Sequence, residues 1–301
     1  MHESASPRVV VTGASGFVGG LAARRLCAAG HTVLGIDPNP PDPGARHQAL
    51  VSDMLDAAEL RRTFADFRPT HVLHAGGVSG PMVLADQPMR VMAINVTAGM
   101  NLLEASVAAG VGRCVSCSSM AAVGETRDES VPDAPPMRPT STYGASKAAF
   151  DYILLGLHGR IPMQLCALSL TAVYGPGRRT PLLLTDIVAA AIARRPLAIP
   201  ALQPWPYIYG EDAADACIGA LFAPALRQLR YNIAFPEHVG LQAITDALHA
   251  VGLTPRLTID PTRTHAARAP MNIDAARRDL GFAPRVGIAE GIRRLVEEWP
   301  A

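Results

Sequence analysis

Short apolar segments alternate with helical patterns from residue 8 to residue 170, and this alternation is the strongest constraint on the fold. The expected strands cover 8–12, 32–36, 71–74, 114–118 and 164–170, and the expected helices lie near 17–29, 56–66, 86–109 and 142–158. Continuous apolar strands separated by helices are typical of a parallel sheet that is covered on both faces, with right-handed crossovers. The sequence therefore predicts an α/β fold with a doubly wound parallel sheet.

The first expected strand runs directly into a glycine-rich turn that opens the first helix. Gly13 and Gly16 allow the backbone to approach a pyrophosphate, and Gly19 allows close packing of the helix on the strand. A lone glycine pattern also occurs in ordinary tight turns. The position between the first strand and the first helix favours dinucleotide binding and a Rossmann-type sheet.

The second strand ends in Asp37, about 20 residues after the glycines. A carboxylate at this position accepts hydrogen bonds from both ribose hydroxyls of an adenosine and repels a 2′-phosphate. The alternative is a turn cap in the sequence Asp-Pro-Asn. The nearest following basic residue is Arg46, so no adjoining guanidinium can hold a phosphate. The sequence therefore predicts NAD in preference to NADP.

Lys147 is the only lysine among the 27 Lys and Arg residues of the chain. It follows Tyr143 by one helical turn, so the phenol and the ammonium emerge on the same helix face. A nearby cation stabilises a tyrosine phenolate, which can then exchange a proton with a substrate hydroxyl. The alternative is a surface pair such as any helix contains. The sole lysine and the Ser118-Ser119 pair at the end of the fourth strand favour a catalytic site.

These motifs resemble those of the extended short-chain dehydrogenase/reductase superfamily, in its NAD-dependent epimerase/dehydratase group, over nearly the whole chain. The segment VTGASGFVGG resembles the TGxxGFxG signature, and the segments beginning at Ser52, His74, Asn95 and Ser118 are similar to later family motifs. The resemblance implies that NAD is held by Gly13, Ser15, Gly16, Phe17, Val18, Gly19, Asp37, Asp53, Met54, Ala75, Gly76, Gly77, Asn95, Tyr143, Lys147, Ala172 and Val173. It also implies that Ser119, Tyr143 and Lys147 are catalytic.

The regular alternation of apolar strands and helices ends after residue 177, and prolines follow at 181, 196, 200, 204 and 206. Helices are expected near 212–223, 241–251, 272–280 and 288–298, with a strand near 230–234. We therefore expect an NAD-binding Rossmann domain over 1–177, to which segments near 205–235 return. Most of 178–301 is expected to form an interleaved, smaller substrate-binding lobe.

Departures from the family pattern bear on the substrate. Ser169 and Ala172 replace an arginine and an asparagine, and Trp205 stands where an arginine is expected to meet a diphosphate. The usual R-P-G-D segment is replaced by Thr262-Arg-Thr-His265. Because a nucleotide diphosphate is a dianion that needs such donors, these losses together predict a smaller substrate.

Candidate substrate contacts lie on the loops around the expected catalytic residues. Glycines at 76 and 77 and the residues after them resemble the pocket loop of sugar-acid dehydrogenases in this superfamily. Ser79 could donate to a substrate oxygen or be an ordinary polar loop residue. Arg178 or Arg179 could bind a carboxylate bidentately, or the two could form a solvated loop pair. Ser119 completes the set of candidate substrate contacts. The histidines show no metal-ligand spacing, so no metal is expected.

Three functions remain open from the sequence. The leading one is an NAD-dependent oxidoreductase that moves a hydride between the nicotinamide and a secondary alcohol or ketone of a small sugar or sugar acid. The first alternative is a nucleotide-sugar 4-epimerase, in which the hydride returns to the opposite face of the sugar. The second is a non-catalytic dinucleotide sensor, which the retained Ser119, Tyr143 and Lys147 argue against.

The composition is that of a globular chain, with 49% hydrophobic residues, 18% charged residues and a net charge of +1. No basic surplus is available for a nucleic acid or an anionic membrane. We find no apolar run of the roughly 18 residues that would cross a bilayer, and the N-terminal segment lacks the apolar core of a signal peptide. The sequence therefore predicts a cytoplasmic protein with a small-molecule substrate.

The five cysteines are an odd count scattered through apolar segments, which favours buried thiols over disulfides. Cys114 and Cys117 spell C-x-x-C, but they lie in an expected strand, so core packing is favoured over a redox or zinc site.

A homodimer is expected from the helices near 86–109 and 142–158, which in the resembled family form a four-helix interface. Their apolar side chains include Val91, Met92, Ile153, Leu154 and Leu157. The alternative is burial of these side chains within one chain.

Overall fold

The structure, a computed structural model, describes residues 6–126, 130–264 and 268–299. Residues 1–5 of the N-terminal segment and His265 therefore lie outside the described residues. The strands are β1 Arg8–Thr12, β2 Thr32–Asp37, β3 Gln48–Val51, β4 His71–His74, β5 Arg113–Ser119, β6 Gln164–Leu170, β7 Ala172–Tyr174, β8 Pro196–Ala201, β9 Trp205–Tyr209, β10 Arg230–Ile233, β11 His238–Val239 and β12 Arg256–Thr264.

The helices are α1 Phe17–Ala28, α2 Ala57–Phe67, α3 Pro88–Met92, α4 Ala98–Ala108, α5 Thr142–Leu157, α6 Leu183–Ile192, α7 Gly210–Phe222, α8 Leu241–Ala250, α9 Asp274–Leu280 and α10 Ile288–Glu297. A π-helical turn, Ala93–Thr97, joins α3 to α4, and a 3-10 turn, Met120–Ala122, follows β5.

Seven strands form one sheet in the order β10-β6-β5-β4-β1-β2-β3, and all neighbouring pairs are parallel. Successive side chains of a strand point to opposite faces. Accordingly, Val9 and Val11 pack into one buried cluster with residues of α1 and α7, and Val10 packs into another with residues of α2 and α4. The predicted α/β fold with a doubly wound, Rossmann-type sheet is confirmed.

The second half of the chain contributes to both parts of the molecule. β7, β9 and β11 form a three-stranded sheet, and β8 pairs with β12. Residues of α6, α8 and α10 share a buried cluster with Tyr174 and Tyr207. In contrast, β10 closes the large sheet, and α7 and α9 pack in the cluster that covers it. The domain boundaries expected from the sequence remain a prediction.

Several strands escaped the sequence-based prediction. β3 is a largely exposed edge strand, so it lacks the continuous apolar run by which the buried strands are recognised. β8 contains two prolines, which are tolerated because it pairs with a single neighbouring strand, β12. β9 begins with Trp205-Pro206, and the prolines around it predict loops rather than a strand.

The segment Pro88–Ala108 is long and apolar enough, by length and composition alone, to cross a membrane. It is not an uninterrupted apolar run of that length, because polar residues such as Asn95 and Asn101 lie within it. In this structure, α4 packs against the sheet, with Leu102 completely buried.

The apolar side chains that these helices expose differ in part from those that the sequence analysis named. Val91 and Leu154 are buried within the chain, so they cannot face a partner. Instead, Tyr152 and Leu155 of α5 are 53% and 55% exposed, and Met100 of α4 is 43% exposed. Large apolar side chains exposed on two adjacent helices are suited to burial by a second copy.

We predict that the protein is a homodimer and that Tyr152→Glu combined with Leu155→Glu makes it monomeric. Light scattering at micromolar concentration should give about twice the chain mass for the unaltered protein and the chain mass for the variant, because a dimer interface of the variant would bury four charges without partners, two from each subunit. Leu55→Glu, at a 40% exposed residue outside these helices, is the control. A monomeric unaltered protein would refute the dimer.

Candidate active site

The glycine-rich turn between β1 and α1 is built for close approach. Gly13 has φ 69°, which favours glycine, and a Cβ there would lie 2.7 Å from the carbonyl oxygen of Ala75. A Cβ on Gly19 would lie 2.2 Å from the carbonyl oxygen of Gly13. Gly16 precedes α1 and is exposed. Among the described residues no side chain caps that helix, and its first turn contains no acidic residue. The N–H groups of the helix end therefore suit a pyrophosphate.

Phe17 and Val18 begin α1 and are half-buried. The Phe17 ring lies 2.5 Å from the position that a Cβ on Gly210 would take. It lies 3.3 Å from the corresponding position on Gly175. Phe17 therefore joins α1 to the turn after β7, and its expected contribution to NAD binding is a backbone one.

Asp37 lies at the end of β2 and is 9% exposed. Its Oδ1 accepts hydrogen bonds from the backbone N–H and the side-chain amide of Asn39, at 2.9 and 3.0 Å. Its Oδ2 accepts the backbone N–H of Ser15 at 3.2 Å. The turn-cap alternative is thus realised, and the same contacts fix the carboxylate beside the glycine-rich turn.

The next expected NAD contacts follow β3. The exposed Asp53 accepts the backbone N–H of Leu55 at 3.0 Å, so its carboxylate caps its own turn. Met54 is buried, and its methyl group lies 2.9 Å from the position of a Cβ on Gly76. Met54 therefore covers the glycine pair that follows β4.

The segment after β4 is held to β1 by Thr12. The Thr12 hydroxyl accepts the backbone N–H of Gly76 at 3.1 Å and lies 2.8 Å from His74 Nδ1. Burial, together with the charge of Lys147, lowers the pKa of His74 to about 3, so this ring is neutral at pH 7. The backbone of Ala75 and Gly77 is thereby fixed opposite the glycine-rich turn.

Asn95 lies in the π-helical turn and is 3% exposed. Its Oδ1 accepts the backbone N–H of Val78 at 2.7 Å, and its Nδ2 donates to Ser146 Oγ at 2.9 Å. Because these contacts occupy the carboxamide, Asn95 ties the loop after Gly77 to α5. Its expected direct contact with NAD has no support in this geometry and remains a prediction.

Ser119 ends β5 and caps the following 3-10 turn. Its Oγ accepts the backbone N–H of Ala121 at 3.1 Å, which leaves the hydroxyl hydrogen free to donate. The neighbouring Ser118 has a different role, since its Oγ donates to Asp151 at 2.8 Å inside the protein.

Tyr143 and Lys147 lie one turn apart on α5, whose N-terminus is capped by Ser141. Tyr143 is 9% exposed and packs against Val78. Lys147 is half-buried, and its Nζ donates to the carbonyl oxygen of Cys117 at 2.9 Å. A Cβ on Gly77, if one were present, would lie 3.9 Å from this Nζ. The structure therefore brings the ammonium to the ends of β4 and β5, where the catalytic and NAD contacts were expected.

The two arginines after β7 point in different directions. Arg178 turns inward, where its Nη1 donates to the carbonyl oxygen of Val173 at 2.6 Å and its Nε to that of Thr180 at 2.9 Å. Burial lowers the pKa of Arg178, and the nearby Tyr143 opposes that shift. Arg179 is 77% exposed and pairs with Asp42 at 3.5 Å. Arg179 therefore behaves as a solvated loop residue, whereas Arg178 lies close to the expected catalytic tyrosine.

The exposed Ser79 lies on the opposite loop, and its hydroxyl is 2.9 Å from that of Thr180. Ala172 and Val173, the last expected NAD contacts, are half-buried and buried on β7. The hydroxyl pair thus links the loop after β4 to the segment after β7.

Two arguments for a smaller substrate change with the structure. Ser169 is completely buried on β6 and accepts a hydrogen bond from Arg230, so the serine that replaces the family's arginine has a role inside the protein. Arg268, which no sequence motif singled out, lies with its guanidinium 5.5 Å from the Trp205 ring and donates to the Met120 carbonyl oxygen at 3.5 Å. The Arg268 guanidinium therefore supplies a positive charge beside Trp205, the residue that replaces the family's arginine.

The segment that replaces R-P-G-D is only partly described. Thr262 hydrogen-bonds to Asp260, and Arg263 donates to the carbonyl oxygen of Ala198 at 3.4 Å. Both contacts are exposed; the first is local, and the second joins β12 to β8.

Cys114 and Cys117 lie on opposite faces of β5, in different buried clusters. They cannot share a metal ion or a disulfide in this strand, so the packing interpretation is confirmed. Cys117 instead approaches Cys217 of α7, with 3.7 Å between the sulfur atoms.

The comparisons with known proteins agree with this geometry. A family model described as "NAD dependent epimerase/dehydratase family" matches residues 9–234. The UDP-glucose 4-epimerase of Mycolicibacterium smegmatis is 29% identical over 312 residues, which covers 96% of this chain and 97% of that protein.

Two solved structures are similar over nearly their full length. MoeE5 in complex with UDP-glucuronic acid and NAD has 26% identity and a TM-score of 0.85, with 96% of this chain and 98% of that chain covered. The UDP-glucose 4-epimerase of Thermus thermophilus, in complex with NAD, has 28% identity and a TM-score of 0.83, with 97% and 98% covered.

The parallel sheet, the glycine-rich turn and the Tyr143–Lys147 pair define a dinucleotide-binding protein of the extended short-chain dehydrogenase/reductase type. The chain belongs to the NAD dependent epimerase/dehydratase family, and NAD is its cofactor. The roles of the individual site residues remain predictions.

We predict that Asp37→Ala lowers affinity for NAD and narrows its advantage over NADP. Loss of hydrogen bonds donated to a charged acceptor should weaken NAD binding by about tenfold, and removal of the carboxylate relieves repulsion of a 2′-phosphate. Fluorescence titration with NADH and NADPH measures both affinities. Asp66→Ala, at an exposed residue of α2 outside the expected NAD contacts, is the control and should change neither affinity. Equal or tighter binding of NADPH by the unaltered protein would contradict the prediction.

Proposed function

We propose that the protein is an NAD-dependent enzyme that oxidises a secondary alcohol of a sugar or sugar acid, or reduces the corresponding ketone. The observation that supports this most is the hydrogen bond from Lys147 of α5 to the Cys117 carbonyl oxygen, which brings the helix of Tyr143 and Lys147 to the end of β5, where Ser119 lies. NAD accepts or returns the hydride at its nicotinamide.

Each of the three side chains has a chemical task in this proposal. Ser119 donates its free hydroxyl hydrogen to the reacting oxygen of the substrate. Tyr143 takes up or returns the proton of that oxygen. Lys147 has three N–H donors, one of which is used by the Cys117 carbonyl oxygen, so two remain for the hydroxyls of the nicotinamide ribose.

We further propose that Arg178 binds a carboxylate of the substrate. Its Nε and Nη1 are held by backbone carbonyl oxygens, and among the described residues we find no hydrogen bond from its Nη2. A partly desolvated guanidinium beside Tyr143 suits an anion close to the reacting carbon. This favours a sugar acid, with Ser79 as an additional polar contact.

The second candidate is a nucleotide-sugar 4-epimerase. The relatives with this printed activity support it, and so does Arg268, which supplies a cation beside Trp205. In an epimerase the same three residues would serve both half-reactions, and the reduced cofactor would be reoxidised before release.

Net formation of NADH separates these candidates. We expect absorbance of free NADH to accumulate with at least one member of a panel of sugars and aldonic or uronic acids. With UDP-glucose and UDP-glucuronic acid, conversion to the C4 epimer without net NADH would instead favour the epimerase. Binding of NAD without turnover of any panel member would favour the sensor.

We predict that Tyr143→Phe lowers turnover by on the order of 100-fold or more and leaves NAD affinity nearly unchanged, because only the proton carrier is lost. Lys147→Arg should also lower turnover substantially, since a planar guanidinium fits the ribose hydroxyls and the phenol less well than a compact ammonium. Lys147→Ala should weaken both turnover and NAD binding. Turnover near that of the unaltered enzyme in both Tyr143→Phe and Lys147→Arg would place the chemistry elsewhere.

A further inference from the structure

A buried polar network joins α5 to β5 and β10. Asp151 Oδ2 accepts the Ser118 hydroxyl at 2.8 Å and lies 3.2 Å from Arg230 Nε. The Asp151 and Arg230 side chains are 1% and 8% exposed. Arg230 Nε is not aligned for a hydrogen bond, so this contact is an ion pair, and Arg230 Nη2 donates to Ser169 Oγ at 3.4 Å.

This network touches both halves of the candidate active site. Asp151 follows Lys147 by one turn of α5 and Tyr143 by two, so it lies on the same side of the helix. Ser118 is the chain neighbour of Ser119. The carboxylate of Asp151 therefore fixes the strand end that carries the serine against the helix that carries the tyrosine and the lysine.

The electrostatic arrangement is a buried anion between two cations. Burial raises the pKa of Asp151, and the charges of Arg230 and Lys147, together with the Ser118 hydrogen bond, oppose that rise.

We propose that Asp151 and Arg230 are positioning residues that hold the end of β5, which carries Ser119, against the part of α5 that carries Tyr143 and Lys147. Neither touches the reacting atoms. The inference rests on the proposed function, since it assigns Tyr143 the proton transfer. The competing account is that the pair only stabilises the fold.

The test compares kcat and NAD affinity among variants of this network. Asp151→Asn removes the carboxylate charge that pairs with Arg230, so we expect kcat to fall about tenfold while the affinity for NAD stays nearly unchanged. Asp151→Glu keeps the charge and should restore most of kcat. Asp279→Asn, at another buried carboxylate that pairs with an arginine, should leave kcat near that of the unaltered protein.

Ser118→Ala supplies a second readout that does not leave a buried charge unpaired. It should lower kcat about tenfold, with unchanged affinity for NAD, because it loosens geometry without altering charge. Ser116→Ala, at a buried residue two positions earlier on β5, is the matched control. A kcat of folded Asp151→Asn equal to that of the unaltered protein would overturn the proposal. So would a kcat of Ser118→Ala equal to that of Ser116→Ala.

These outcomes are separate from failure of the proposed function. If Tyr143→Phe and Lys147→Arg keep normal turnover, the proposed function fails, whatever Asp151 does. If those two variants lose turnover while Asp151→Asn and Ser118→Ala behave as their controls, only the positioning role fails.

Discussion

The parallel direction of the seven strands is the constraint on which the site depends. Because every strand of the sheet points the same way, the carboxyl ends of β1, β2, β4 and β5 all lie along one edge. The glycine-rich turn, Asp37, the glycine pair after β4 and Ser119 follow directly from those ends. Buried contacts such as that of Asn95 fix the loops in place, and leaving such a group unpaired would cost about 1–3 kcal/mol. The candidate site is therefore a property of the sheet as much as of single residues.

Local signals were sufficient to predict much of this arrangement. The buried strands and their helices have strong apolar periodicity, so the doubly wound sheet followed from the pattern. The glycine-rich turn and the Tyr143–Lys147 pair depend on spacing within one segment, and the structure places both as expected, with Lys147 directed to the end of β5. β3 and β8 lacked such signals, because one is exposed and the other contains prolines.

Contacts between distant segments could not be predicted from one sequence. The serine at position 169, where the family has an arginine, suggested a change in substrate. However, Ser169 is buried, and Arg230 from the neighbouring strand donates to its hydroxyl. Arg178 and Arg179 are adjacent and chemically identical, yet only Arg178 turns towards Tyr143. Arg268 reaches the segment after Ser119 from 148 residues away along the chain. Only tertiary packing decides which of several available arginines faces a ligand.

The isolation of Lys147 has a practical consequence for chemistry performed on the whole protein. It carries the only side-chain amine of the chain, and that amine is half-buried against the Cys117 carbonyl oxygen. Acylating reagents, reductive methylation and lysine-directed cross-linkers therefore have a single internal target, which lies in the candidate active site. Immobilisation through lysine side chains would attach the protein by this residue alone, whereas the abundant arginines leave the rest of the surface inert to the same reagents.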